Sequence, residues 1–237
     1  MEYTDQQLHR LSDQLAGESV EMILEWTFDT FGKDVAMTTS FGYSGLVLLH
    51  QALQLYPNLP LYFIDTGFHF EETLQFSEQL QEKWNLNLHI VKPQISQKEL
   101  KRRLGDKPYE NNPDLCCNYN KVEPLLKVIN NKSAWLSGIR RDQSSSRANI
   151  EIVERDRWGT IKVSPLYDWT REQAWEYIRS HDIPYHPLHD EDYFSIGCEP
   201  CTAPVNGNGQ ERDGRWPSSG KMECGLHQSA GMTKQTN

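Results

Sequence analysis

Five cysteines carry the most reactive chemistry in this 237-residue sequence, and they group as four plus one. Cys116 and Cys117 are adjacent, Cys198 and Cys201 form a CxxC pair, and Cys224 stands apart near the end. A secreted disulfide scaffold is shorter and denser in cysteine, so a metal or cluster site plus one working thiol is the better reading for a cytoplasmic chain of this length. Zinc ribbons use two CxxC-like knuckles, whereas adjacent cysteines aim their sulfurs in divergent directions, which suits separate corners of a cubane. The spacing therefore favours a 4Fe-4S cluster on Cys116, Cys117, Cys198 and Cys201, with a zinc ion as the alternative. Buried inert cysteines fit less well, because Gly197-Cys198-Glu199-Pro200-Cys201 reads as a turn with little to pack against.

Cys224 lies in Glu223-Cys224-Gly225-Leu226-His227, close to Lys221, Arg215 and Arg212, cations able to raise the thiolate fraction of a nearby cysteine. A second reactive stretch runs from Ile139 to Arg147. Its three arginines (Arg140, Arg141 and Arg147) against one aspartate leave a local excess of two positive charges in an acidic protein. Arginine forks match phosphate and sulfate oxygens in pairs, so this stretch is expected to bind an anion, with Gln143 and Ser144 beside it. A third is the loop Ser40-Phe41-Gly42-Tyr43-Ser44-Gly45, between an expected strand and an expected helix, where backbone N–H groups suit a phosphate. It lacks the lysine of a P-loop, and a plain turn that uses glycine for positive φ would look similar.

These segments need a frame. Val35 to Thr39, Leu61 to Ile64, Leu86 to Val91 and Ala134 to Ser137 read as strands; Gly45 to Tyr56, Glu71 to Trp84, Lys121 to Ile129 and Thr170 to His181 read as helices. Residues 4 to 31 carry helical periodicity opened by a Thr4/Gln7 capping box, and Thr170/Gln173 repeats that signature. Strands alternating with helices predict an α/β fold, a doubly wound and mostly parallel sheet. Ligands bind such sheets at the carboxyl ends of the strands, where Ser40 to Gly45, Asp65 to Gly67 and Arg140 to Arg147 all fall. Residues 1–34 read as a helical cap, 35–205 as a nucleotide-binding domain with the iron-sulfur site, and 206–237 as a mobile segment carrying Cys224, with Asn206 to Gly209 as a hinge.

The composition is that of a globular protein, 37% hydrophobic and 24% charged, and the net charge of −9 disfavours nucleic acid and anionic membranes as partners. The absence of a long apolar run or a signal-like start leads to the expectation of a cytoplasmic protein without a membrane anchor.

The sequence resembles the assimilatory adenylyl-sulfate and phosphoadenylyl-sulfate reductases. The resemblance rests on SFGYSG at 40–45, DTG at 65–67, the paired cysteines followed by KVEP at 121–124, GIRRDQSSSR at 138–147, SIGCEPCTAPV at 195–205, ERDGRW at 211–216 and ECGLH at 223–227. It implies a Rossmann-like sheet related to the ATP pyrophosphatases, with the 4Fe-4S cluster in a structural and electrostatic role. It further implies that Cys224 attacks the sulfonyl sulfur, displaces AMP or its 3′-phosphorylated form, and becomes an S-sulfocysteine from which thioredoxin or glutaredoxin releases sulfite. Substrate contacts are then expected from Ser40, Phe41, Gly42, Ser44, Gly45, Asp65, Thr66 and Gly67. The positive groups are expected to be Lys121, Arg140, Arg141, Arg147, Arg212 and Arg215, with Gln143, Ser144 and His227 beside them. The four paired cysteines favour adenylyl sulfate; the neutral glycine loop and SSSRAN at 144–149 look more like the branch that uses the 3′-phosphorylated substrate. A pyrophosphatase-type relative would carry SGGxDS where this chain has SFGYSG, and a non-catalytic iron-sulfur or zinc module would leave the arginines and ECGLH without a purpose. Homo-oligomerisation stays open.

Overall fold

The computed structural model describes residues 3–207 and 209–226. Its centre is one six-stranded sheet: β1 (Val35–Thr39), β2 (Leu61–Ile64), β3 (Leu88–Val91), β4 (Ala134–Leu136), β5 (Val153–Arg155) and β6 (Ile161–Val163), in the order β3-β2-β1-β4-β6-β5. Every neighbouring pair is parallel except β5 with β6. The helices are α1 (Asp5–Leu15), α2 (Val20–Phe31), α3 (Tyr43–Leu55), α4 (Glu71–Trp84), α5 (Gln97–Leu104), the short α6 (Pro108–Asn111) and α7 (Pro113–Cys117), α8 (Glu123–Ile129) and α9 (Arg171–Ser180).

Strand periodicity divides the core into two layers. Val35 and Met37 of β1 face a large cluster with Leu8, Ile23, Leu24, Leu48 and Ile178, so α1, α2, α3 and α9 share one side of the sheet. Ala36 between them faces the other side, where Leu125, Val128 and Ile129 of α8 pack on Trp135. The sheet is therefore doubly wound, as the alternation of strands and helices predicts. After β1 the chain moves to β2 on one side, and β4 lies on the other, so the switch point is the crevice between the carboxyl ends of β1 and β4.

Three local details go beyond the sequence pattern. The helical stretch 4–31 is two helices: Gly17 takes φ +86° after α1, and the Ser19 hydroxyl accepts from Met22 N–H to start α2. Helix α3 begins at Tyr43, two residues before the expected Gly45, so Tyr43 and Ser44 form its first turn. The β5–β6 hairpin was not among the expected strands. Its central pair, Glu154 opposite Lys162, is charged, yet both side chains are buried as an ion pair across the ladder. No helix among the described residues is long and apolar enough to cross a membrane.

Candidate active site

The main cavity opens at the switch point, and the first turn of α3 forms one wall. No side chain caps this helix, and Gly42, Tyr43, Ser44 and Gly45 line the cavity, so its free N–H groups are available to an anion. Positive φ in the preceding turn falls on Phe41 (φ +57°), whose N–H donates to Thr39 Oγ1 at 2.9 Å; Gly42 is at −68°. The Phe41 ring lies in the core against Phe63 and Phe76, so its side chain supports the loop and is not a lining group. Gly138, after β4, lets two backbones meet: a Cβ there would lie 3.0 Å from Gly45 Cα and 3.1 Å from Ser44 O.

The arginine stretch divides in a way its composition does not reveal. Arg140 is fully buried and held by Asp142 at 2.9 Å and Glu211 at 2.6 Å, while it donates to the Ser44 and Tyr43 hydroxyls. The Tyr43 hydroxyl in turn donates to Glu211; burial and that carboxylate push the Tyr43 pKa well up. Arg140 therefore braces the α3 terminus from behind. Arg141 turns outward over the Tyr167 ring and donates to Ile150 O at 2.9 Å. Ser144 bonds Ser146 and does not line the cavity. Gln143 and Arg147 do line it.

Two further arginines enter from the C-terminal segment. Thr202 and Arg215 bridge in antiparallel fashion, Trp216 N–H donates to Cys201 O at 2.9 Å, and Ala203 N–H donates to Gly214 O at 2.8 Å, so residues 211–216 dock on 201–203. Arg212 and Arg215 then line the cavity beside Lys121, Arg147 and Cys224. Burial and repulsion from Arg147 push Arg212 down to about 10. The Nε atoms of Arg212 and Arg215 are buried with no hydrogen-bond partner among the described residues, as in a cationic pocket built for an incoming anion. Lys221, expected near Cys224, instead reaches Asp114 at 2.6 Å.

A smaller cavity adjoins, lined by all four paired cysteines together with Lys121 and Asn120. Cys116 and Cys117 end α7, and a π-helical turn over Asn118–Val122 joins α7 to α8 and carries Lys121 into both cavities. The four thiols surround this space; among the described residues no three His, Cys, Asp or Glu side chains converge on a point for one metal ion. Burial and the neighbouring sulfurs push Cys116 up to about 12 and Cys201 up to about 11. Burial disfavours the charge on Lys121, but Cys198, Cys224 and Cys117 outweigh it and lift the lysine's pKa.

Of the DTG turn, Thr66 alone lines the main cavity, and its hydroxyl lies 3.3 Å from Cys198 Sγ. Asp65 accepts from Gly67 N–H and faces Lys92, and Gly67 is exposed with φ +71°, so these two shape the turn. Ser40 is exposed at the rim. His227 and the tail from Gln228 lie outside the described residues. Sequence reasoning passed over Glu211, Glu223, Trp216 and His189, all at or against the cavity. Glu211 and Trp216 lie within ERDGRW and Glu223 within ECGLH, so the motifs held the signal without separating holders from contacts.

Residues 34–204 match the model of the phosphoadenosine phosphosulfate reductase domain, well over half of the chain. The chain belongs to that family. Within it, the chain is 43% identical to the adenosine 5′-phosphosulfate reductase of Halalkalibacterium halodurans over 208 residues, 87% of this chain and 90% of that one. It is 42% identical to the protein of the same name from Bacillus cereus, over 86% of this chain and 88% of the other. Among solved structures, phosphoadenylyl-sulfate reductase from Candida auris in a phosphate complex superposes with a TM-score of 0.75 at 31% identity, covering 86% of this chain and 99% of that one. Yeast FAD synthetase, with a TM-score of 0.59 at 16% identity over 87% of this chain and 71% of its own, shares the fold alone. Membership in the family agrees with the sheet order and with the cavity at its switch point.

Proposed function

We propose that this protein reduces adenylyl sulfate to sulfite and AMP, with Cys224 as the nucleophile. The observation that carries the reading is the charge at the main cavity: Lys121, Arg147, Arg212 and Arg215 line it with Cys224, and the open N-terminus of α3 faces the same space. A thiolate approaching a sulfur ringed by anionic oxygens is repelled unless fixed positive groups offset the charge. The Cys224 thiolate attacks the sulfonyl sulfur, an S–S bond forms, the S–O bond to phosphate breaks, and the electron pair leaves with AMP. The leaving phosphate falls to the arginines and the helix terminus. A thiolate of thioredoxin or glutaredoxin then attacks the Cys224 sulfur, sulfite departs, and the second thiol of that partner restores Cys224 by disulfide exchange.

Four buried thiols surround the smaller cavity, and burial makes ionisation of Cys116, Cys117 and Cys201 costly unless positive charge fills the space, which supports an iron-sulfur group there. Cys116, Cys117, Cys198 and Cys201 would hold a 4Fe-4S cluster, which when bound supplies structural rigidity and local charge beside Lys121. Five free cysteines suit the reducing cytoplasm. Adenylyl sulfate is preferred as substrate because the relatives at 42–43% identity are named for it, whereas the one named for the 3′-phosphorylated form is at 31%. The test is sulfite release by anaerobically purified protein with excess reduced thioredoxin, from both nucleotides in parallel, with iron and acid-labile sulfide measured on the same sample. Faster turnover of adenylyl sulfate is expected. Preference for the 3′-phosphorylated form would transfer the assignment to that substrate, and no sulfite from either would overturn it.

A further inference from the structure

Glu223 precedes Cys224 and spends its carboxylate on the cavity's own cations. It accepts from Arg147 Nε at 2.8 Å and Nη2 at 2.9 Å, from Arg212 Nη2 at 3.1 Å and from Ser146 Oγ at 3.2 Å. Burial alone would raise its pKa, but the Arg147 bonds and the charges of Arg147 and Arg212 outweigh that and lower it. Beyond Trp216, Arg212 also donates to Met222 O at 3.0 Å, and Lys221 leads away to Asp114 and Pro113 O. The fork on Glu223 is thus the polar anchor adjoining the thiol, and two of the four cations lining the cavity already serve an internal anion.

We infer that Glu223 is a positioning residue with two opposed effects: its fork on Arg147 and Arg212 holds Cys224 at the cavity, and its negative charge weakens the hold of that cavity on an anionic nucleotide. The inference rests on the proposed reaction for its meaning, but its physical content is separate from turnover. A purely structural residue, when lost, weakens binding and rate together. Glu223 divides them, because removing its charge leaves Arg147 and Arg212 uncompensated and more attractive to an anion.

The experiment compares the whole chain with Glu223→Gln and Glu223→Asp in three readouts: AMP affinity by calorimetry, site-resolved alkylation of Cys224 by iodoacetamide, and formation of S-sulfocysteine from adenylyl sulfate in a single turnover. Glu223→Gln is expected to bind AMP several-fold more tightly, to alkylate several-fold faster and to form the intermediate at least tenfold more slowly. Glu223→Asp, which keeps the charge on a stem one methylene shorter, is expected to return AMP affinity to the parent value while alkylation stays fast. Unchanged or weaker AMP binding in Glu223→Gln, or unchanged alkylation in both variants, would overturn the inference. If the parent protein forms no S-sulfocysteine, the proposed reaction falls, and the affinity and alkylation arms still decide the role of Glu223.

Discussion

A serine at position 224 would keep the size and hydrogen bonding of the side chain and lose the nucleophile, since a hydroxyl stays protonated where a thiol ionises. Cys224→Ser is expected to bind AMP with parent affinity and keep its iron content while sulfite release falls by about 10³-fold or more; residual turnover within tenfold of the parent would remove Cys224 from that role. At this scale the sequence was informative about reactive types and poor on their partners. Cys224, Arg212, Arg215 and Lys121 line one cavity. Arg140 and Arg141 look equivalent to Arg147 in the sequence, but of the three Arg147 alone lines the cavity: Glu211, 71 residues further on, holds Arg140 behind the α3 terminus, and Arg141 turns out over Tyr167. A run of arginines states how much charge is present, and long-range contacts decide where each side chain is held.

The cavity depends on two elements meeting at glycine: the first turn of α3 and the strand end after β4. Gly138→Ala would press a methyl group against Gly45 and Ser44 backbone atoms about 3.0–3.1 Å away, which cannot rotate aside as a side chain would. We expect the β4 loop to be displaced from α3 and AMP affinity, measured by calorimetry, to fall about tenfold or more; parent-like affinity would show that this close approach is dispensable. Elements with a clear apolar signature were legible, namely the short apolar runs of β1 and β2 and the helical periods of α4 and α9. The β5–β6 hairpin escaped because Glu154 and Lys162 are charged and become buried as a cross-strand ion pair, which no local pattern reveals. The same holds for α7 and the π-helical turn, whose function is to carry Cys116, Cys117 and Lys121 to one place.

For the molecule as a whole, the buried His186 and the half-buried His189 set a limit on acid stability. Burial, with His189 and His69 nearby, pushes His186 down to about 4; its Nδ1 accepts from Leu188 N–H, so Nε2–H faces Thr73 Oγ1 at 2.8 Å. Burial likewise pushes His189 down to about 4. Below about pH 6.5 the unfolded chain takes up protons that the folded chain refuses until about pH 4, so stability is lost as pH falls through that window and not above it, by ~1.4 kcal/mol per pH unit for each ring. Urea midpoints are expected to drop as pH falls from about 6.5 to 5, and His186→Gln should make that drop shallower; a flat or rising trend in the parent would refute the assignment. The buttoning of the C-terminal segment has a consequence in time. Arg140 and Glu211 are 71 residues apart, and Arg147 and Glu223 are 76 apart. Chains emerge from the ribosome at about 5–20 residues per second, so for several seconds both arginines precede these two carboxylates. A newly made sheet is an anion trap before it is ever a holder of the thiol.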